Sequence, residues 1–151
     1  PARYGMMLAS TIAGITLQNA LVTLPHSVGY TIAHEYHLPH GIATAVALPF
    51  SMRFNLPFCQ VKFLHVASAM GQKIEGLSLK EAAMEGIKAV KTLIKDVDMP
   101  VSLKEIGVRK DQLTELVDEC LAEYPRPLNI CEVNRENLMK LYEDMWEGKI
   151  Q

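Results

Sequence analysis

A chain of 151 residues, 49% of them hydrophobic and 21% charged, has the make-up of a single globular domain with ample apolar material for a core. Fifteen Lys and Arg stand against 17 Asp and Glu, a net charge of −2 with the basic residues scattered, so neither nucleic acid nor an anionic membrane is expected as a partner. Three cysteines without CxxC spacing point to free thiols in a reducing compartment, the cytoplasm by default, and no signal peptide or unbroken run of eighteen apolar residues predicts secretion or a membrane span.

The chain opens on Pro1-Ala-Arg-Tyr with no initiator Met and runs directly into a helical pattern, which reads as a cut inside a longer polypeptide. From Arg3 to Leu24, Met7, Leu8, Ser10, Ala13, Gly14 and Leu17 place apolar or small side chains at three- and four-residue intervals, a helical period whose small residues permit close packing. Pro25 suits the first turn of a helix covering His26 to Tyr36, and Pro39 marks the start of another over Gly41 to Arg53, bent at Pro49. Phe58 to Met70 reads as a separate helix halted by Gly71. Ser78-Leu-Lys-Glu81 is a capping box, opening a helix to Lys95 whose apolar face is Ala82, Ala83, Ile87, Val90 and Ile94. Ser102-Leu-Lys-Glu105 repeats the signal over a short piece ended by Gly107. Asp111 to Glu123 is stopped by the Pro125-Arg-Pro127 pair, and the last helix runs from its N-cap Asn134 to Trp146. Nothing alternates with period two over a useful length, so the expected fold is an all-α, multi-helix bundle of about six to eight helices on short connections.

Four of the five histidines fall within the fifteen residues from His26 to His40, beside an apolar run. Neutral imidazoles suit Zn, Fe, Ni or Cu, whereas Ca and Mg prefer oxygen donors. If His26 lies on one helix and His40 opens the next after the Leu38-Pro39 corner, the chain can reverse and bring both rings to one point. The spacing does not match HExxH, and spacing alone leaves metal ligands and hydrogen-bonded core or surface histidines both open. Two ligands are also too few, since zinc and non-haem iron sites generally take three or four from protein. Glu35 is the sole acid between Pro1 and Gln72, and helical phase turns it away from His26. His34 and His65 read as solvated or structural; His37, just before the corner, is the better functional candidate.

The residues from His26-Ser-Val-Gly29-Tyr30 to Pro39-His40-Gly41, with a fourteen-residue interval from the first histidine to the second, resemble the C-terminal half of the iron-containing (group III) alcohol dehydrogenase family. The similarity extends upstream through ARYGMMLASTIAGITLQNA and downstream through LPFSMRFN, SLKEIGVRKDQL and YPRPLN to LMKLYEDMWEG, nearly the whole chain. The resemblance implies a dehydroquinate-synthase-like helical domain holding a divalent metal, Fe2+ foremost and Zn2+ as the alternative. It also implies an N-terminal, Rossmann-like domain for NAD or NADP, absent from this sequence. His26 and His40 match the family's last two metal ligands; the first two belong to an upstream Asp-x-x-x-His, which does not occur here. Many members carry a second histidine four residues after the first, near the nicotinamide. Here that position is Tyr30, a phenol that resists deprotonation near neutral pH and reads as a packing or orienting group.

The implied activity is hydride transfer between a small alcohol, diol or hydroxyacid and nicotinamide, with the metal polarising the substrate oxygen. The chain is then the C-terminal fragment of a two-domain enzyme, residues 1–151 forming its metal-binding domain, inactive alone. It is expected to associate with the missing half or with further copies through the surface left open. Alternatives are a glycerol dehydrogenase or maleylacetate reductase relative, or a free-standing helical interaction module from a split gene.

Overall fold

Helical periodicity throughout yields six α-helices and two 3-10 turns in the computed structural model, which describes residues 1–150, and no strand occurs among the described residues. The helices are α1 (Ala2–Ala20), α2 (Leu24–Tyr36), α3 (His40–Ala69), α4 (Leu79–Asp96), α5 (Leu113–Glu123) and α6 (Arg135–Glu147), with 3-10 turns at Lys104–Ile106 and Lys110–Gln112. The all-α bundle expected from the sequence is the fold observed.

The main core joins Leu24, Val28 and Ile32 of α2 to Ala43, Val46, Ala47 and Phe50 of α3, closed by Leu116, Val117 and Cys120 of α5 and Leu138, Tyr142 and Met145 of α6. A smaller cluster, Met52 and Leu56 against Ala83 and Ile87, locks the middle of α3 onto α4. Half of the most apolar stretch of α3 is buried in this way. Its length and hydropathy therefore serve the core of the bundle.

Two helices were expected across residues 41–70, and α3 consists of two helical segments that meet at a kink, with Cys59 non-helical (φ −118°, ψ 16°) just after Pro57. Proline removes one helical hydrogen bond and crowds the preceding turn, which accounts for the break, while Leu56 on one side and Ala67 on the other are both buried. One difference concerns α1. Its small residues suggested close packing, yet none of its side chains is buried, and Tyr4, Met6, Met7, Leu8, Ile12, Ile15 and Leu17 are exposed.

The caps form as the sequence predicts. Ser78 accepts from the Glu81 amide at 3.3 Å while the Glu81 carboxylate accepts from the Ser78 amide at 2.9 Å, and Asn134 and Asn137 make the same reciprocal pair at α6. Trp146 anchors α6 by donating its indole N–H to the Val108 carbonyl at 2.9 Å. The loop after α5 is tied down more firmly than its proline-rich sequence suggests. The buried amides of Asn55 and Asn129 exchange hydrogen bonds at 3.1 and 2.8 Å, Asn129 also reaches the Cys131 carbonyl, and the Cys131 thiol donates to the Phe54 carbonyl.

Candidate metal centre and its adjoining pocket

Helix α3 crosses α2 at Gly29. A Cβ on Gly29 would lie 2.8 Å from Thr44 Oγ1 and 3.1 Å from Thr44 Cα, so only glycine lets the two backbones approach this closely. Thr44 bonds back to the His40 carbonyl at 2.8 Å, and its hydroxyl also lies 3.4 Å from His40 Nε2. The crossing sets the first turn of α3 over the middle of α2, with His40 above Tyr30.

Three rings meet there. The centroids of His26 and His40 are 5.5 Å apart at 49°, Tyr30 stacks on His40 at 4.8 Å and 16°, and His26 meets Tyr30 edge-on at 6.0 Å. Tyr124, from the loop after α5, closes the group at 5.6 Å from Tyr30. Burial, the neighbouring His40 and the Arg126 guanidinium, in that order, hold the His26 imidazole below its usual value, in the neutral form that binds metals. With metal–nitrogen bonds of about 2.0–2.1 Å, two imidazoles this far apart can share one ion. The pair therefore fits a divalent metal, with two ligands from this chain.

No carboxylate or thiol joins them. Among the described residues, the group of three potential ligands lies elsewhere, on the surface, where His34 Nδ1 is 3.6 Å from Glu35 and 3.3 Å from Glu119. His37 caps the far end of α2 in the left-handed conformation (φ 50°) and is exposed, so the three-ring group forms without it. His65 is likewise exposed.

Sequence reasoning passed over Tyr124 and Arg126. Both border a pocket of about 380 Å³ between the start of α2 and the loop after α5, whose lining includes Ser27, Cys120, Asn129 and Glu132. The segment YPRP was visible as part of the family resemblance, but its prolines read as a helix stop and nothing in the spacing tied it to His26. A larger cleft of about 640 Å³ between α3 and α6 includes none of the four rings in its lining.

The family model for the C-terminal part of the Fe-containing alcohol dehydrogenases matches residues 1–146. The chain belongs to this family. It is 35% identical over 141 residues to lactaldehyde reductase of Escherichia coli (strain K12), covering 93% of this chain and 37% of the relative. A sulfoacetaldehyde reductase of Bilophila wadsworthia is 32% identical over 123 residues, 80% of this chain and 32% of that one. The crystal structure of a 1,3-propanediol oxidoreductase superposes with a TM-score of 0.85 at 30% identity, covering 91% of this chain and 36% of the other. The chain thus spans under two fifths of the length of these relatives.

Proposed function

We propose that this chain is the metal-binding part of an NAD(P)-linked alcohol dehydrogenase that interconverts a small alcohol and its aldehyde. The observation that carries the reading is the convergence of His26 and His40, fourteen residues apart in sequence, on one point beside Tyr30. His26 and His40 would hold the metal, iron in keeping with the family and zinc as the alternative, with the remaining ligands and the nicotinamide site on a segment outside this sequence. Bound there, the metal would act as a Lewis acid on the substrate oxygen while the nicotinamide carries the hydride. The chain's own contribution is orientation. Thr44 steadies the His40 ring, Tyr30 covers one face of it, and the phenol of Tyr30 can donate a hydrogen bond beside the site. The lactaldehyde, 1,3-propanediol and sulfoacetaldehyde in the relatives' names indicate the size of substrate we assign. Free cysteines fit the cytoplasm as its compartment.

Titration with Co2+ followed by visible absorption tests the reading. Two ligands hold an ion weakly, so the nicotinamide-binding half of a relative is added to supply the remainder; with it the wild-type chain is expected to bind one Co2+ and His26→Ala or His40→Ala to weaken binding at least tenfold, and equal binding by both variants would overturn the reading. The same mixture should oxidise NAD(P)H with an aldehyde. The exposed apolar length of α1 favours the second reading, a free-standing interaction module, and a chain that adds no metal binding to that half would decide for it.

A further inference from the structure

Resting on that reading, we infer that the pocket beside His26 is an anion site, and that the substrate of this enzyme carries a carboxylate or similar acid group recognised by Arg126 and Ser27. Arg126 comes from the loop after α5, which the Asn55–Asn129 pair holds against α3, so its position is fixed by buried hydrogen bonds. Among the described residues its guanidinium forms no ion pair with a carboxylate. Its Nη1 donates to the Pro125 carbonyl at 3.0 Å, while Nε is buried without any partner. Across the pocket Ser27, only 1% exposed, also has a buried hydroxyl with no hydrogen-bond partner. Two unsatisfied buried donors facing one cavity are costly when nothing occupies it, and an oxyanion would satisfy both. Ser27 lies in the first turns of α2, whose N-terminal end favours negative charge. Glu132, the acidic group in the lining, forms no ion pair with Arg126.

The pocket's place relative to the three-ring group gives the anion its meaning. Tyr124 lines the pocket and also packs against Tyr30, so a molecule seated here extends from the guanidinium toward the ring group that includes His26 and His40. A volume of about 380 Å³ suits a chain of a few carbons, long enough to place a hydroxyl or carbonyl near the histidines with its acid group on Arg126. A neutral diol of the same length would offer one uncharged hydroxyl oxygen where the acid offers two charged ones, the weaker partner for a guanidinium.

The test compares 3-hydroxypropanoate with 1,3-propanediol, which differ in one end group, by 1H–15N NMR of the full chain, following the Arg126 Nε–H and Ser27 amide signals. Saturable shifts with the hydroxy acid, at least tenfold weaker binding of the diol, and at least tenfold loss in Arg126→Gln with partial recovery in Arg126→Lys are expected. Ser27→Ala, which leaves the loop untouched, should weaken the hydroxy acid alone. Equal response to both probes, no response, or binding indifferent to Arg126→Gln overturns the proposal. Inorganic phosphate binding more tightly than the hydroxy acid would also overturn it, by assigning the pocket to a cofactor phosphate. Co2+ titration of the same samples separates the two readings, because an intact metal response without carboxylate preference overturns the anion site alone.

Discussion

At the scale of single residues, the approach of His26 to His40 depends on a position outside the ring group. Gly29 permits the close crossing of α2 and α3, and a methyl there would strike Thr44 at both its hydroxyl and its backbone. Gly29→Ala is therefore expected to destabilise the chain by about 1–3 kcal/mol, the usual range for overpacking, in a urea unfolding curve. It should also weaken Co2+ binding, because spreading the helices draws His40 away from His26. The approach of the His26 and His40 rings was legible in the sequence because a corner at Leu38-Pro39 lets the chain reverse between two helices and their interval resembles that of a known family. Tyr124 and Arg126 were not, since one packs on Tyr30 and the other acts on the charge of His26 from 94 and 100 residues along the chain, and no local pattern records such an approach. Tyr30 was expected to be a packing or orienting group, and it stacks on the His40 ring.

At the scale of elements, short-range chemistry was the most readable part of the chain. Ser78, Asn134 and Gly107 act within a few residues of themselves, so their motifs describe the helix ends directly. Ser78→Ala should lower stability by about 1 kcal/mol, the typical loss for a serine cap, measured by thermal unfolding. The Ser78 hydroxyl and amide hold the Glu81 carboxyl below its usual value. A depressed carboxylate adds stability above its unfolded value near 4.5, and that stability is lost as pH falls through the lower folded value. The wild type should thus lose part of its advantage over Ser78→Ala below pH 4.5, and an advantage that stays constant down to pH 3 would count against the cap as its source. Pro57 was legible for the same reason, since the bond a proline removes and the turn it crowds lie within four residues of it, and the kink falls at Cys59. Where α3 meets α4 the contact is tighter still, since a Cβ on Gly86 would sit 2.4 Å from the Phe63 carbonyl and 2.9 Å from the Ala67 amide, both backbone atoms. Gly86→Ala is expected to lower the melting temperature more than Gly29→Ala while leaving the ratio of Co2+ to protein unchanged, because it separates α3 from α4 without touching the ring cluster.

At the scale of the whole molecule, the feature that calls for a partner is α1. Tyr4, Leu8, Ile12 and Ile15 recur at four, four and three residues, a continuous apolar row along one face, and all four are exposed. Two copies crossing on this row would remove eight large side chains from water, each worth about 1.5–3 kcal/mol when fully buried, against an association cost of about 4–15 kcal/mol. The balance favours a dimer of the isolated chain at micromolar concentration. Light scattering should report at least twice the chain mass, and Leu8→Glu with Ile12→Glu, which places two carboxylates on the row of each copy, should return the monomer while leaving α2 to α6 folded by circular dichroism. The double variant should also keep its Co2+ response, because α1 contributes no side chain to the ring cluster. A wild-type monomer would mean that α1 is stable in water on its own helical hydrogen bonds, which an isolated helix of 19 residues achieves only marginally, and would place the origin of its apolar row outside self-association.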